Sequence, residues 1–225
     1  MPNFDIIKKS ELVETFRVSK IMSDFDVKLE HSNERFIGKI EYPKKWQIGI
    51  IYGGSGTGKS TIAKELYGDL IKDDFQYTSK SVIDDIPCND VNEITKMFYA
   101  VGFGSVPCWL KPYNALSNGE KMRVDLARKI LQNDFIVFDE FTSVVDRQVA
   151  KIISISIKKA LLKYPNKKFV AISCHEDVIE FLQPDWAFNT NDMKQVFQLA
   201  HEEKCNLKLG SVTVRSGQNL DVIII

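Results

Sequence analysis

Residues 53–60 read GGSGTGKS and place Gly53, Gly58, Lys59 and Ser60 at the spacing Gly-x4-Gly-Lys-Ser. The types suit phosphate. Glycine lets the backbone turn tightly, so the amides of Gly53, Gly54, Ser55, Gly56, Thr57 and Gly58 can converge on phosphate oxygens. A helix starting near Lys59 adds its positive end at Ser60 and Thr61. Lys59 would meet the β- and γ-phosphates as a point charge, and the Ser60 hydroxyl suits Mg²⁺. A second group follows in FIVFDEF, where Asp139 and Glu140 close an apolar run. One carboxylate there can hold Mg²⁺ through water while the next takes a proton from an attacking water. Between the two groups, Ser117-Asn118-Gly119-Glu120 opens a basic helix, a second helix N-terminus able to hold phosphate.

These groups need strands that end at them and helices that start at them. IGIIY before the loop is a β-branched run that reads as a buried strand. TIAKELY after it reads as a helix to about Leu70, with Ile62, Leu66 and Leu70 on its apolar face. A Gly-rich turn that binds nothing fits this setting poorly. Upstream, TFRVSKIMSDFDV and RFIGKIEY, within residues 15–42, alternate as antiparallel strands, and Pro43 stops the second. A strand is expected at 74–78 (DFQYT) and a short helix at 91–101. Gly102, Gly104, Pro107 and Pro112 mark loops, and a helix at 118–132 is capped by Ser117 or Asn118. Buried strands are expected at 135–139 and 167–173, a long helix at 147–163, a short one in EDVIEFLQ, and late strands from DWAFNT onward. Apolar strands alternating with helices make the fold α/β, with a mostly parallel sheet.

In this order the motifs resemble those of the ABC-type ATPases. The family's LSGGQ signature is matched by LSNGE, followed by Arg123 and Ala127-Arg128. FTSVVD is similar to its D-loop, with Asp146 in the aspartate position, and AISCHED places His175 as its switch histidine. The resemblance implies a P-loop NTPase core with early antiparallel β strands and a helical subdomain at about 88–132, inserted in a single domain 1–225. It implies Mg²⁺ and ATP as cofactors and a composite site. One subunit's loop, Asp139, Glu140 and His175 hold Mg-ATP, and Ser117 to Glu120 of a second copy close over the γ-phosphate, so a homodimer is expected. Lys59, Glu140 and His175 carry the catalytic roles, Ser60 and Asp139 the metal. Adenine stacking, which the family assigns to an early aromatic, falls to Phe25, with Phe16 second; Phe25 as plain core is the competing reading. The sequence departs from the family at Asn118 (usually glycine), at Glu120 (often glutamine) and at the Q-loop. Gln76 is the sole glutamine between loop and signature and stands close to Lys59, so Asp84 or Asp85 is the stand-in metal-side acid.

Composition bounds the partners. The chain has 225 residues, 44% of them hydrophobic and 27% charged, and a formal net charge of zero. No global attraction to nucleic acid or membrane follows. The lysine pairs 8–9, 44–45, 158–159 and 167–168 read as solvated faces more readily than as a patch. No apolar run has the ~20 residues of a membrane helix, and the N-terminus lacks a signal-peptide core. A cytoplasmic chain is expected, with no membrane insertion of its own. Cys88, Cys108, Cys174 and Cys205 lack metal spacing and read as reduced, mostly buried thiols; His31 and His201 read as surface residues. Only 58 positions separate Lys59 from Ser117, short for a permease-docking surface. The first functional reading is therefore a soluble ABC ATPase that is not a transporter subunit, resembling small ABC ATPases of bacteria, phages and mobile elements, some of which carry an acetyltransferase-like domain not expected here. A protein or nucleic-acid partner fits this reading. A transporter ATPase with a separate permease is second, and a P-loop phosphotransferase third. Val222–Ile225 either closes the sheet or meets a partner.

Overall fold

The computed structural model describes residues 3–9, 15–26, 33–71 and 75–197. Strand β1 (Asn3–Lys9) pairs antiparallel with β2 (Asn33–Lys39), Phe4 opposite Gly38 and Lys8 opposite Glu34. The segment from Thr15, expected as the first strand of this ribbon, is instead helix α1 (Phe16–Phe25). Thr15 caps it, accepting the Val18 amide at 3.3 Å. Val18, Ile21, Met22 and Phe25 fall at i, i+3, i+4 and i+7, a helical stripe that outweighs the partial alternation. The ribbon's first strand is drawn from NFDIIKK instead.

Strand β3 (Ile48–Tyr52) is buried throughout and sits at the centre of a five-stranded sheet. It is followed by helix α2 (Lys59–Tyr67). Gly68, at a φ of +52° open to glycine, ends α2, and a 3₁₀ turn covers Gly68–Ile71. The inward positions are thus Ile62, Ala63, Tyr67 and Ile71, and Leu70, expected on the apolar face, points to solvent.

Residues 75–78 form no strand. Side chains hold them instead. Tyr77 stacks on Tyr113 at 3.8 Å, and both hydroxyls donate to Asp125 at 2.7 Å. The Arg128 guanidinium lies over the Phe75 and Tyr77 rings and donates to the Gln76 carbonyl.

Three helices come next, α3 (Val91–Ala100), α4 (Val106–Trp109) and α5 (Asn118–Gln132). Then follow β4 (Phe135–Phe138), α6 (Arg147–Leu161), β5 (Lys168–Ser173), α7 (Val178–Leu182), β6 (Trp186–Asn189) and β7 (Lys194–Phe197). The sheet order is β4-β5-β3-β6-β7, with β7 alone antiparallel.

Alternation along the strands feeds two cores. Ile48 and Ile50, with Ile136, Phe169 and Ala171, face α3, α5 and α6. Ile51, with Val137, Val170 and Ile172, faces α2 and the β1–β2 ribbon. Each such Val, Ile or Phe side chain contributes about 1.5–3 kcal/mol on burial. The parallel strands end on one edge, and the chemistry-bearing residues follow their carboxyl ends. Cys88 is half-buried, Cys108 buried and Cys174 exposed, all three free thiols. Among the described residues no helix is long and apolar enough to cross a membrane. Cys205, His31, His201 and Val222–Ile225 lie outside the described residues.

Candidate functional site

The loop after β3 is shaped by close approach. At Gly53 a Cβ would lie 2.2 Å from the Thr190 hydroxyl. At Gly58, φ is +86° and a Cβ would lie 2.5 Å from the Phe36 ring, so glycine is required twice over. The turn between β6 and β7 holds the loop from outside. Asn191 Oδ1 accepts the Gly54 amide at 2.9 Å, and the Thr57 and Thr190 hydroxyls meet at 2.6 Å. Thr57 also donates to the Gly54 carbonyl. Lys59 folds over the loop, its Nζ donating to the carbonyls of Gly53 (3.0 Å) and Gly54 (2.5 Å).

A cleft of about 330 Å³ opens beside this loop. Ser55, Gly56, Gly58, Lys59, Ser60 and Thr61 form one wall, and Asp139, Glu140, Ser143, Ile172 and Cys174 another, with Lys8 at the margin. Of the expected nucleotide residues, Gly53, Gly54 and Thr57 serve the loop's own fold and do not line the cleft.

The two chemical groups meet here. Ser60 Oγ donates to Asp139 Oδ1 at 3.3 Å, across 79 positions of sequence. The same oxygen accepts the Glu140 amide at 2.8 Å. Glu140 has φ +50° and Thr142 φ +66°, left-handed conformations that side chains rarely adopt. Thr142 is β-branched and fully buried, and its hydroxyl has no partner among the described residues. Such strain concentrates where a side chain has to be aimed. The Ser173 hydroxyl donates to the Phe141 carbonyl and accepts the His175 amide, each at 3.1 Å, tying the acid turn to the end of β5.

Mg²⁺ is implied by the loop and the acids, and the donors fit it. A hydroxyl and a carboxylate side by side are hard oxygen ligands, and Mg²⁺ takes few of them while keeping waters and phosphate. No cluster of three or more His, Cys, Asp or Glu suited to a metal occurs among the described residues.

At the start of α5, Ser117 is the cap. Its hydroxyl accepts the Glu120 amide at 3.4 Å, and the Glu120 carboxylate accepts the Ser117 amide at 2.8 Å, a reciprocal capping box. The Ser117 hydroxyl also lies 2.8 Å from that carboxylate. The Ser117 amide, then its hydroxyl, hold the Glu120 carboxyl below the usual carboxylate range. A depressed carboxylate stabilises the fold above its unfolded value and ceases to do so as pH falls through its folded value. The melting-temperature gap between wild type and Glu120→Ala is therefore expected to stay constant from neutrality to about pH 4.5 and to narrow below about pH 4. A gap that persists undiminished at pH 3 in thermal melts sinks this assignment.

No protein-family profile matches the chain, and no curated protein matches it. Solved structures do. A dimeric, post-hydrolysis state of the ATP-binding cassette MJ0796 bound to ADP and Pi is similar at TM-score 0.58 and 14% identity, over 87% of this chain and 97% of that one. A second dimeric structure of MJ0796, a bacterial ABC transporter cassette, aligns at TM-score 0.55 and 15% identity, over 83% and 92%. The cbiO1 protein of Clostridium perfringens, part of the ABC transporter complex cbiONQ, aligns at TM-score 0.52 and 20% identity, over 72% and 77%.

The chain has the fold of an ABC-type ATP-binding cassette. Its α/β core is that of a P-loop NTPase. Within the cassette the remaining candidates scatter. Asn118 lines a second cleft of about 300 Å³, with Lys121 and Asp125, that reaches Asp139 and Glu140 from the α5 side. Gly119 is not demanded by packing, since a Cβ there would make ordinary contacts at 3.5 Å and beyond. Asp146 caps α6, accepting the amides of Gln148 and Val149 at 2.9 Å. His175 is half-buried and does not line the loop cleft. It neighbours Asp177, whose carboxyl the Arg147 guanidinium holds below its usual range.

Asp84 hydrogen-bonds Ser81, and Asp85 accepts the Thr78 and Ser79 amides at 3.1 Å. Neither reaches the loop cleft, so the stand-in for a Q-loop acid is not brought to the metal side. Phe25 and Phe16 sit on a helix rather than a strand, 69% and 85% exposed, and do not line the cleft; Phe25 is not core either. Sequence reasoning missed Lys8, Ser143, Cys174, Thr190 and Asn191. Alternation through NFDIIKK would have found Lys8, and the polar NTND turn after WAF would have pointed to Thr190 and Asn191.

Proposed function

We propose that the chain binds Mg-ATP and hydrolyses it as an ABC-type ATPase, working as an ATP-sandwiched homodimer. The observation that carries this reading is the Ser60–Asp139 hydrogen bond, which joins the phosphate loop to the acid pair inside one cleft of a cassette fold. Lys59 trades the Gly53 and Gly54 carbonyls for phosphate oxygens, and Ser60 and Asp139 hold Mg²⁺. The ion supplies charge neutralisation at the phosphates. Glu140 takes the proton of the water that attacks the γ-phosphorus, and His175 acts on the γ-phosphate once the dimer closes. Asn118 and Gly119 of the second copy present helix N-terminal amides to the same phosphate, from the turn that Ser117 and Glu120 cap. Asp146 keeps the neighbouring turn in place. The capping box supports this arrangement, because it turns the Glu120 carboxylate back onto Ser117.

Within this reading the chain acts apart from a permease, on the motivation of the short Lys59-to-Ser117 segment. The alternative, a transporter subunit, is favoured by the transporter cassettes among its structural neighbours. Calorimetry with Mg-ATP tests the core of the proposal. Wild type is expected to bind, and Lys59→Ala to bind at least tenfold more weakly, from loss of a charge-assisted contact. Equal affinity of the two proteins overturns it. Native capture on Mg-ATP then separates the alternatives, since a polytopic membrane protein at stoichiometric level favours the transporter subunit.

A further inference from the structure

Two lysines reach the cleft, and only Lys59 belongs to the loop. The other is Lys8, at the end of β1. Strand alternation places it on the face of Phe4 and Ile6, which pack into the core shared with α2. One pleat further along, that face passes from core to cleft, and Lys8 comes to line it together with Ser55 and Gly56. On the paired strand, Phe36 packs against Gly58 and fixes the ribbon's distance from the loop. Among the described residues no hydrogen bond, ion pair or ring engages the Lys8 ammonium.

We propose that Lys8 binds the polyphosphate of the nucleotide. This rests on the ATPase reading above. Amides, two ammonium groups and hydroxyls are a phosphate-reading set.

The test is calorimetric titration of wild type, Lys8→Gln and Lys8→Arg with Mg-ATP, Mg-GTP and Mg-tripolyphosphate, at low and at moderate salt. Wild type is expected to bind all three ligands. Lys8→Gln is expected to weaken all three ligands about fivefold to tenfold and to flatten the salt dependence, with an unchanged melting temperature. Lys8→Arg keeps wild-type affinity. Unchanged affinity in Lys8→Gln, while Lys59→Ala loses binding, overturns the role of Lys8 and leaves the ATPase reading standing. Failure of wild type to bind any nucleoside triphosphate overturns both.

Discussion

The Glu140→Gln protein is expected to bind Mg-ATP as wild type does and to turn it over about 10²–10⁴ times more slowly. Gln keeps the side chain's shape and leaves the left-handed backbone at this position as it is, so the Asp139–Glu140 turn and its bond to Ser60 persist. What is lost is the carboxylate that accepts the proton. Glu140 borders both the loop cleft and the cleft lined by Asn118 of the same chain, and the proposed sandwich sets a second copy's Ser117 turn against the first of them. Stalled hydrolysis is accordingly expected to leave the Mg-ATP-bound protein as a dimer in light scattering, while wild type returns to monomer as phosphate is released. Phosphate release measured over a single turnover checks the first statement. A rate within about threefold of wild type removes Glu140 from the chemistry.

Trp186→Ala is expected to cost about 3–5 kcal/mol of stability, a fall of about 6–20 °C in melting temperature. The indole is fully buried, lies within 5.6 Å of Trp46 and 5.3 Å of Tyr42 between ring centroids, and presses directly on β3. A Cβ at Gly49 would come within 2.1 Å of it. Gly49→Ala should therefore be strongly destabilising in wild type and much milder in the Trp186→Ala background, whose cavity accepts the methyl group. Additive effects in this double-mutant cycle would mean that the ring does not set the β3–β6 spacing. Trp186→Phe is expected to cost far less, because it keeps most of the ring and removes an indole N–H that has no partner among the described residues.

The strands beside the loop and the acid pair were legible because they are buried on both faces, and continuous apolar runs such as IGIIY and FIVF admit little else. Ser117 as the α5 cap was legible through its capping box, a signal confined to four residues. The segment at 16–25 was misread because ten residues with five apolar ones satisfy both a partial alternation and a helical stripe, and the Thr15 cap decided between them. DFQYT was misread because its aromatics suit a strand, whereas they are claimed by Arg128, Tyr113 and Asp125 from other elements.

By itself the sequence determined the glycine-rich turn between strand and helix, the acid pair at the end of β4, the order of the motifs and the α/β class, since each rests on neighbours within a few residues. Only the tertiary structure decided that Ser60 meets Asp139, that Thr190 and Asn191 brace the loop, that Lys8 borders the cleft and that Phe25 and Asp84 do not. Those pairings join residues far apart in sequence. Their contact is set by strand order and by which face each strand turns to the core, and neither is written in any local run of residues.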